Sequence, residues 1–95
     1  MIRLFPPRIQ SKIPQRLNAG EHKIQLDFID DQSIKQSTVW LDQEKIGWSG
    51  TKTSWTLPIQ LTSGSHFIKV DVEDNQGLVT RSFYPILVPQ TSTSF

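Results

Sequence analysis

Between two turns the chain spells out a strand. Thr62-Ser63-Gly64 and Asp74-Asn75-Gln76-Gly77 bracket it; between them His66, Ile68, Val70 and Val72 alternate with Phe67, Lys69, Asp71 and Glu73. A period of two marks a strand with one buried face and one wet face. The same pattern recurs upstream, where His22, Ile24, Leu26 and Phe28 alternate with Lys23, Gln25, Asp27 and Ile29. No segment keeps a helical period for as much as about ten residues, so the chain is predicted to be all-β.

The other segments supply further short strands. Arg3–Phe5 and Arg8–Gln10 read as a broken edge strand, because Pro6-Pro7 cannot sit in a central one. Ser37–Leu41 follows, with Val39 and Leu41 on one face and Thr38 and Trp40 on the other. Ile46–Trp48 and Thr53–Leu57 come next, the latter ended by Pro58; Val79–Val88 is last, with Pro85 marking a bulge or a change of edge partner. About seven short strands separated by turns predict an antiparallel sandwich of two sheets. One domain is expected over residues 1–89, with 90–95 a frayed tail or linker stub. The predicted core is Ile24, Leu26, Phe28, Val39, Leu41, Leu57, Leu61, Ile68, Val70, Val72 and Phe83.

The two alternating strands belong to an internal repeat. A shift of 44 positions carries Pro14 onto Pro58, Leu17 onto Leu61, Gly20 onto Gly64 and His22 onto His66. It carries Ile24 onto Ile68, Asp27 onto Asp71, Asp30 onto Asp74 and Gln32 onto Gln76, and pairs Val39 with Phe83 and Trp40 with Tyr84. Two copies are too few for a solenoid. They predict pseudo-symmetry inside one sandwich: two hairpins facing each other, with turns 30–33 and 74–77 at one end and Gly20 and Gly64 at the other.

Composition removes several functions. The net charge is +1 and the basic residues are scattered, which gives no footprint for nucleic acid or an anionic membrane surface. Without cysteine there is no disulfide and no thiolate metal site. No apolar run is long enough to span a bilayer, so no membrane insertion is expected, and Met1 reads as the start of a piece cut from a longer protein. No nucleophile elbow, His-Glu-x-x-His pair or phosphate loop occurs, so neither catalysis nor a cofactor is expected.

Three groups of residues remain as candidates. His22 and His66 sit two residues after a turn glycine in each copy, which predicts a structural corner bonding back to the turn rather than a general base. Asp30, Asp31, Asp74 and Asn75 offer oxygen ligands that calcium accepts, although no metal is the expectation, because Asp and Asn also form turns in their own right. Trp40, Trp48, Trp55 and Tyr84 are many large rings for 95 residues. They either fill the core or present a flat apolar platform for a sugar ring or a protein partner.

The run Leu61-x-x-Gly64-x-His66-x-Ile68-x-Val70-x-Val72-x-Asp74-x-x-Gly77, with the apolar strand through Phe83, resembles the last two strands of bacterial immunoglobulin-like domains, including fibronectin-III-like and cadherin-like modules. Val39-Trp40-Leu41-Asp42, with Ile46-Gly47, Trp55 and Gly64-x-His66, resembles more narrowly the non-catalytic C-terminal domain of bifunctional penicillin-binding proteins. The likeness covers residues 5 to 88; without cysteines the antibody branch is excluded. The resemblance implies an immunoglobulin-like sandwich serving as a non-catalytic accessory module of an extracytoplasmic bacterial protein. Its expected role is that of a spacer or protein-contact domain. The alternative is a carbohydrate- or peptidoglycan-binding module that uses Trp48 and Tyr84.

Overall fold

The alternating segments fold as strands. The computed structural model describes residues 6–30 and 33–90. Seven strands run β1 (Arg8–Ile9), β2 (Gly20–Ile29), β3 (Ile34–Leu41), β4 (Glu44–Ser49), β5 (Ser54–Leu61), β6 (Gly64–Asp74) and β7 (Val79–Val88). They form two antiparallel sheets, β1-β2-β5 and β4-β3-β6-β7. The predicted Arg3–Phe5 strand piece, Asp31 and residues 91–95 of the tail lie outside the described residues.

The inner faces meet as the alternation requires. Ile24, Leu26 and Phe28 of β2 and Leu57, Ile59 and Leu61 of β5 face Val39 of β3, Ile68, Val70 and Val72 of β6, and Ile86 and Val88 of β7. Each such side chain removed from water contributes about 1.5–3 kcal/mol. Nine of the predicted core residues are buried, and Leu41 packs half-buried against them. Phe83 does not belong there: it is 59% exposed. The reason is a register shift in β3 between Ile34 and Gln36. Its extra residue switches which β3 side chains face inward, whereas β7 pairs with β6 without interruption. The repeat match of Val39 with Phe83 therefore lands on opposite faces.

The repeat also connects differently from the predicted pair of hairpins. β6 and β7 do form a hairpin in one sheet, but β2 and β3 lie in different sheets. The chain between them crosses the sandwich instead of turning back on itself. The polarity of the ends is as predicted. Asn75 N donates to Ser33 O at 3.0 Å, joining the two Asp-rich turns. At the other end Gly20 pairs with Leu61, three residues before Gly64.

Proline acts through position. β5 does not stop at Pro58 but runs through to Leu61, because it is an edge strand paired only with β2 and the missing N–H faces outward. Pro85 makes no bulge either; it pairs with Phe67 in unbroken register, and two residues on, Leu87 exchanges backbone bonds with Gln15 and Leu17. The N-terminal segment thus touches both sheets: β1 on β2, Pro7 O accepting from Thr80 Oγ1, and Gln15–Leu17 on β7. That cover shields part of an edge otherwise open to strand pairing.

Candidate contact surface on the four-stranded sheet

The core fixes which side chains the four-stranded sheet turns outward, since neighbours along a strand point to opposite faces. Three rows cross that outer face. Thr38 lies between Trp48 of β4 and Asp71 of β6, and Asp71 lies opposite Arg81 of β7. Trp40 lies opposite Lys69, which lies opposite Phe83. Gln36 lies opposite Glu73, which lies opposite Val79.

These side chains hold one another in place. Arg81 donates from Nε and Nη2 to the two Asp71 carboxylate oxygens at 2.7 and 2.9 Å, a bidentate fork. That hydrogen bonding, then the Asp71 charge, raises the Arg81 pKa above its ordinary value. Gln36 Nε2 donates to Glu73 Oε1 at 2.7 Å, Lys35 approaches Glu73 at 3.9 Å, and Trp48 Nε1 donates to Gln36 Oε1 at 3.3 Å. The Lys69 ammonium stands 4.1 Å from the Trp40 ring centre, in cation–π range. Phe67 and Phe83 lie 6.2 Å apart, tilted by 51°. Gln36, Thr38, Trp40, Asp71, Glu73 and Val79 enclose a recess of about 230 Å³.

Of the four predicted rings, Trp40 and Trp48 lie on this face and Trp55 and Tyr84 do not. Tyr84 lies opposite Ile68 and packs half-buried against the core, so its match with Trp40 fails for the same register reason as Phe83. Trp55 spans the sandwich from β5, donating from Nε1 to Ser37 Oγ of β3 at 3.1 Å. It also explains Gly47, where an added Cβ would lie 2.9 Å from Leu57 Cδ1 and 3.1 Å from the Trp55 ring. The alternation already put Asp71 and Glu73 on the outward face of their strand, but sequence reasoning passed over Gln36 and Arg81; their phase opposite the core positions was the available signal.

The histidines form the predicted corners. His22 Nε2 donates to Asn18 O at 2.6 Å and His66 Nε2 to Thr62 O at 2.7 Å, each four residues back. His66 Nδ1 also meets Asp42 Oδ2 at 2.7 Å. Asp42 sits at φ +61, accepts from Phe67 N at Oδ1 (3.1 Å) and donates its own N–H to Phe67 O (2.8 Å). The His66 pKa is raised, first by the hydrogen bond to Asp42, then by the Thr62 carbonyl and by the Asp42 charge, while burial opposes the shift. With both nitrogens committed, this ring is not poised to move a substrate proton.

Asp74 is fully buried and braces its own turn, with Oδ1 accepting from Gln76 N and Leu78 N at 2.9 Å. Asn75 spends its backbone N–H on Ser33. Among the described residues no three His, Cys, Asp or Glu side chains gather as a metal would need. A larger cleft of about 490 Å³ lies at the His66 end, with Gln15, Arg16, Pro85 and Leu87 in its walls, but it has no indole wall. No helix among the described residues is long and apolar enough to cross a membrane.

No protein-family model matches the sequence, and no curated protein does. Solved structures do match in fold. The fibronectin(III)-like modules of CbhA from Clostridium thermocellum superpose with a TM-score of 0.72 at 19% identity over 95% of this chain, which spans 52% of theirs. SGBP-B of the Bacteroides ovatus mixed-linkage glucan utilization locus, solved with a mixed-linkage heptasaccharide, gives 0.64 at 19% over 96% of this chain and 26% of that one. The superoxide reductase of Ignicoccus hospitalis gives 0.72 at 12% over 87% and 79% of the two chains. Likeness at this level establishes architecture: the chain is an immunoglobulin-like β-sandwich of the three-plus-four kind.

Proposed function

We propose that the chain is a non-catalytic accessory module of a larger, extracytoplasmic bacterial protein, and that the outer face of its four-stranded sheet is its contact surface. One observation carries this reading. Among the described residues the exposed large apolar side chains are Ile29, Trp48, Val79, Phe83 and Leu87, and all but Ile29 lie on strands β4 and β7 of that sheet. The outer face of the three-stranded sheet instead carries Lys23, Gln25, Thr56 and Gln60. Apolar groups gathered on one face of a small domain mark a place where another molecule sits. The fibronectin-like modules and the glycan-complexed protein that share the fold support an accessory or binding role. The extracytoplasmic setting rests on the immunoglobulin-like resemblance alone.

Hydroxyl-radical footprinting tests the reading. Trp48 and Phe83 are expected to be oxidised several-fold more slowly in the natural polypeptide at its working surface than in the isolated chain, with Ile29 unchanged. Equal oxidation of all three in both settings would leave the module a passive spacer and remove the contact face.

A further inference from the structure

We propose that the recess between β3, β6 and β7 is a subsite for one neutral sugar ring of a glycan chain; this rests on the contact-face reading and gives it a ligand class. The recess holds about 230 Å³, just under the usual range for drug-sized ligands and fit for a single small ring. Its lining joins two chemistries that a pyranose needs together. The Trp40 indole offers an apolar wall for a C–H face, and Gln36, Thr38, Asp71 and Glu73 offer hydrogen-bonding partners for hydroxyl groups.

The carboxylates decide against other occupants. Asp71 and Glu73 are recessed, with side chains 19% and 22% exposed. An apolar side chain from a protein partner would strip their remaining water and offer nothing in return, a penalty that closely matched hot spots avoid. Hydroxyl groups replace departing water donors bond for bond. Phosphate, sulfate or uronate groups would meet the Asp71 and Glu73 carboxylates in the lining, while the nearest cations, Arg81 and Lys35, lie outside it and are already engaged with those carboxylates. The acceptors are also held in advance, Asp71 by Arg81 and Glu73 by Gln36 and Lys35, which lowers the entropic cost of ordering them around a ligand. Lys69 likewise fixes the Trp40 ring. Trp48 is 56% exposed and lies one strand over and two residues along, where it extends the indole surface for a neighbouring sugar unit.

The test titrates ¹⁵N-labelled chain with hexasaccharides of neutral β-glucan, xylan, mannan, chitin and starch. The expected result is that at least one shifts the amides of Thr38, Trp40, Asp71 and Glu73, and that Trp40→Ala weakens it by about tenfold or more. Glu73→Gln, which keeps the Gln36 partnership available, should weaken the same sugar by a smaller factor. Melting curves of both variants establish that they remain folded. Sugar-independent spectra, with Trp48 and Phe83 still protected in the footprinting experiment, would overturn the sugar assignment and leave the contact face standing. Shifts confined to the Arg16–His66 cleft or to β1-β2-β5 would overturn both.

Discussion

β2 and β6 hold the same corner and use it differently. In each, a glycine at φ near +120° opens the strand, at 121° for Gly20 and 120° for Gly64. In each, a histidine two residues later returns Nε2 to the carbonyl four residues back. The similarity ends at the second ring nitrogen. His66 has the Asp42 carboxylate there; no described residue engages Nδ1 of His22. Topology makes the difference. β6 is central in its sheet beside β3, whose turn into β4 carries Asp42 to the start of β6. The His22 end of β2 has only β5 next to it, since β1 pairs at the far end, against Phe28 and Ile29. A carbonyl and a carboxylate both only accept, so the two bonds of His66 are satisfied together by an imidazolium. The backbone motif is a scaffold element; its chemistry comes from the neighbouring strand.

The largest expected effect probes what the corners share. An alanine Cβ at Gly20 or Gly64 would meet nothing within 4 Å, so substitution isolates the backbone strain at a φ that L residues rarely adopt. Gly20→Ala and Gly64→Ala should each cost about 1–3 kcal/mol, and cost the same within error. Urea denaturation gives both numbers. A markedly unequal pair would mean that the two corners are not the same device.

The next effect probes where they part. His22→Ala removes one hydrogen bond near the surface and should cost about 0.5–1.5 kcal/mol. His66→Ala also releases Asp42, and with it the tie between the β3–β4 turn and β6, so it should cost more, by up to about 1 kcal/mol given that the Asp42 side chain is 46% exposed. Equal losses near pH 6 would reduce the Asp42 contact to a bystander.

The same contrast shows what could be read from the chain. Alternation located β2 and β6, the glycine spacing located both corners, and the repeat placed the joined turns at one end, because each of these is a local pattern with a fixed period. What failed depended on pairings between distant segments. The extra residue of β3 at Lys35 turns Val39 inward and Trp40 outward, while the unbroken pairing of β7 leaves Phe83 outward and Tyr84 inward, and no local signal announces the difference. Pro58 looked like a terminus because a lone strand does not reveal whether it lies at an edge. The β2–β3 connection was read as a hairpin, since the turn residues of a hairpin and of a crossing between sheets are alike. Trp40 and Trp48 were legible as large rings, but their polar neighbours Gln36, Asp71 and Glu73 come together only when β3 and β6 pair.

The smallest effect is the most discriminating, because its sign depends on pH. Asp42→Asn keeps a side-chain oxygen for Phe67 N and tolerates the left-handed backbone at φ +61, so it removes the charge and turns an NH2 donor toward His66 Nδ1 in place of the Oδ2 acceptor. Folding holds the His66 pKa above 6.5, chiefly through Asp42. A group whose pKa rises on folding contributes stability fully below its unfolded value and loses it as pH climbs through the folded one. The Asn variant should therefore be less stable than the parent by up to about 1 kcal/mol between about pH 5 and 6, where His66 is charged. The gap should close as the pH passes above the raised pKa, and the same substitution in a His66→Ala background should show little pH dependence. Denaturation midpoints across that range decide it. A penalty that stays flat, or grows towards alkaline pH, would mean that Asp42 supports the turn through Phe67 alone, and the two corners would then be equivalent in chemistry as well as in shape.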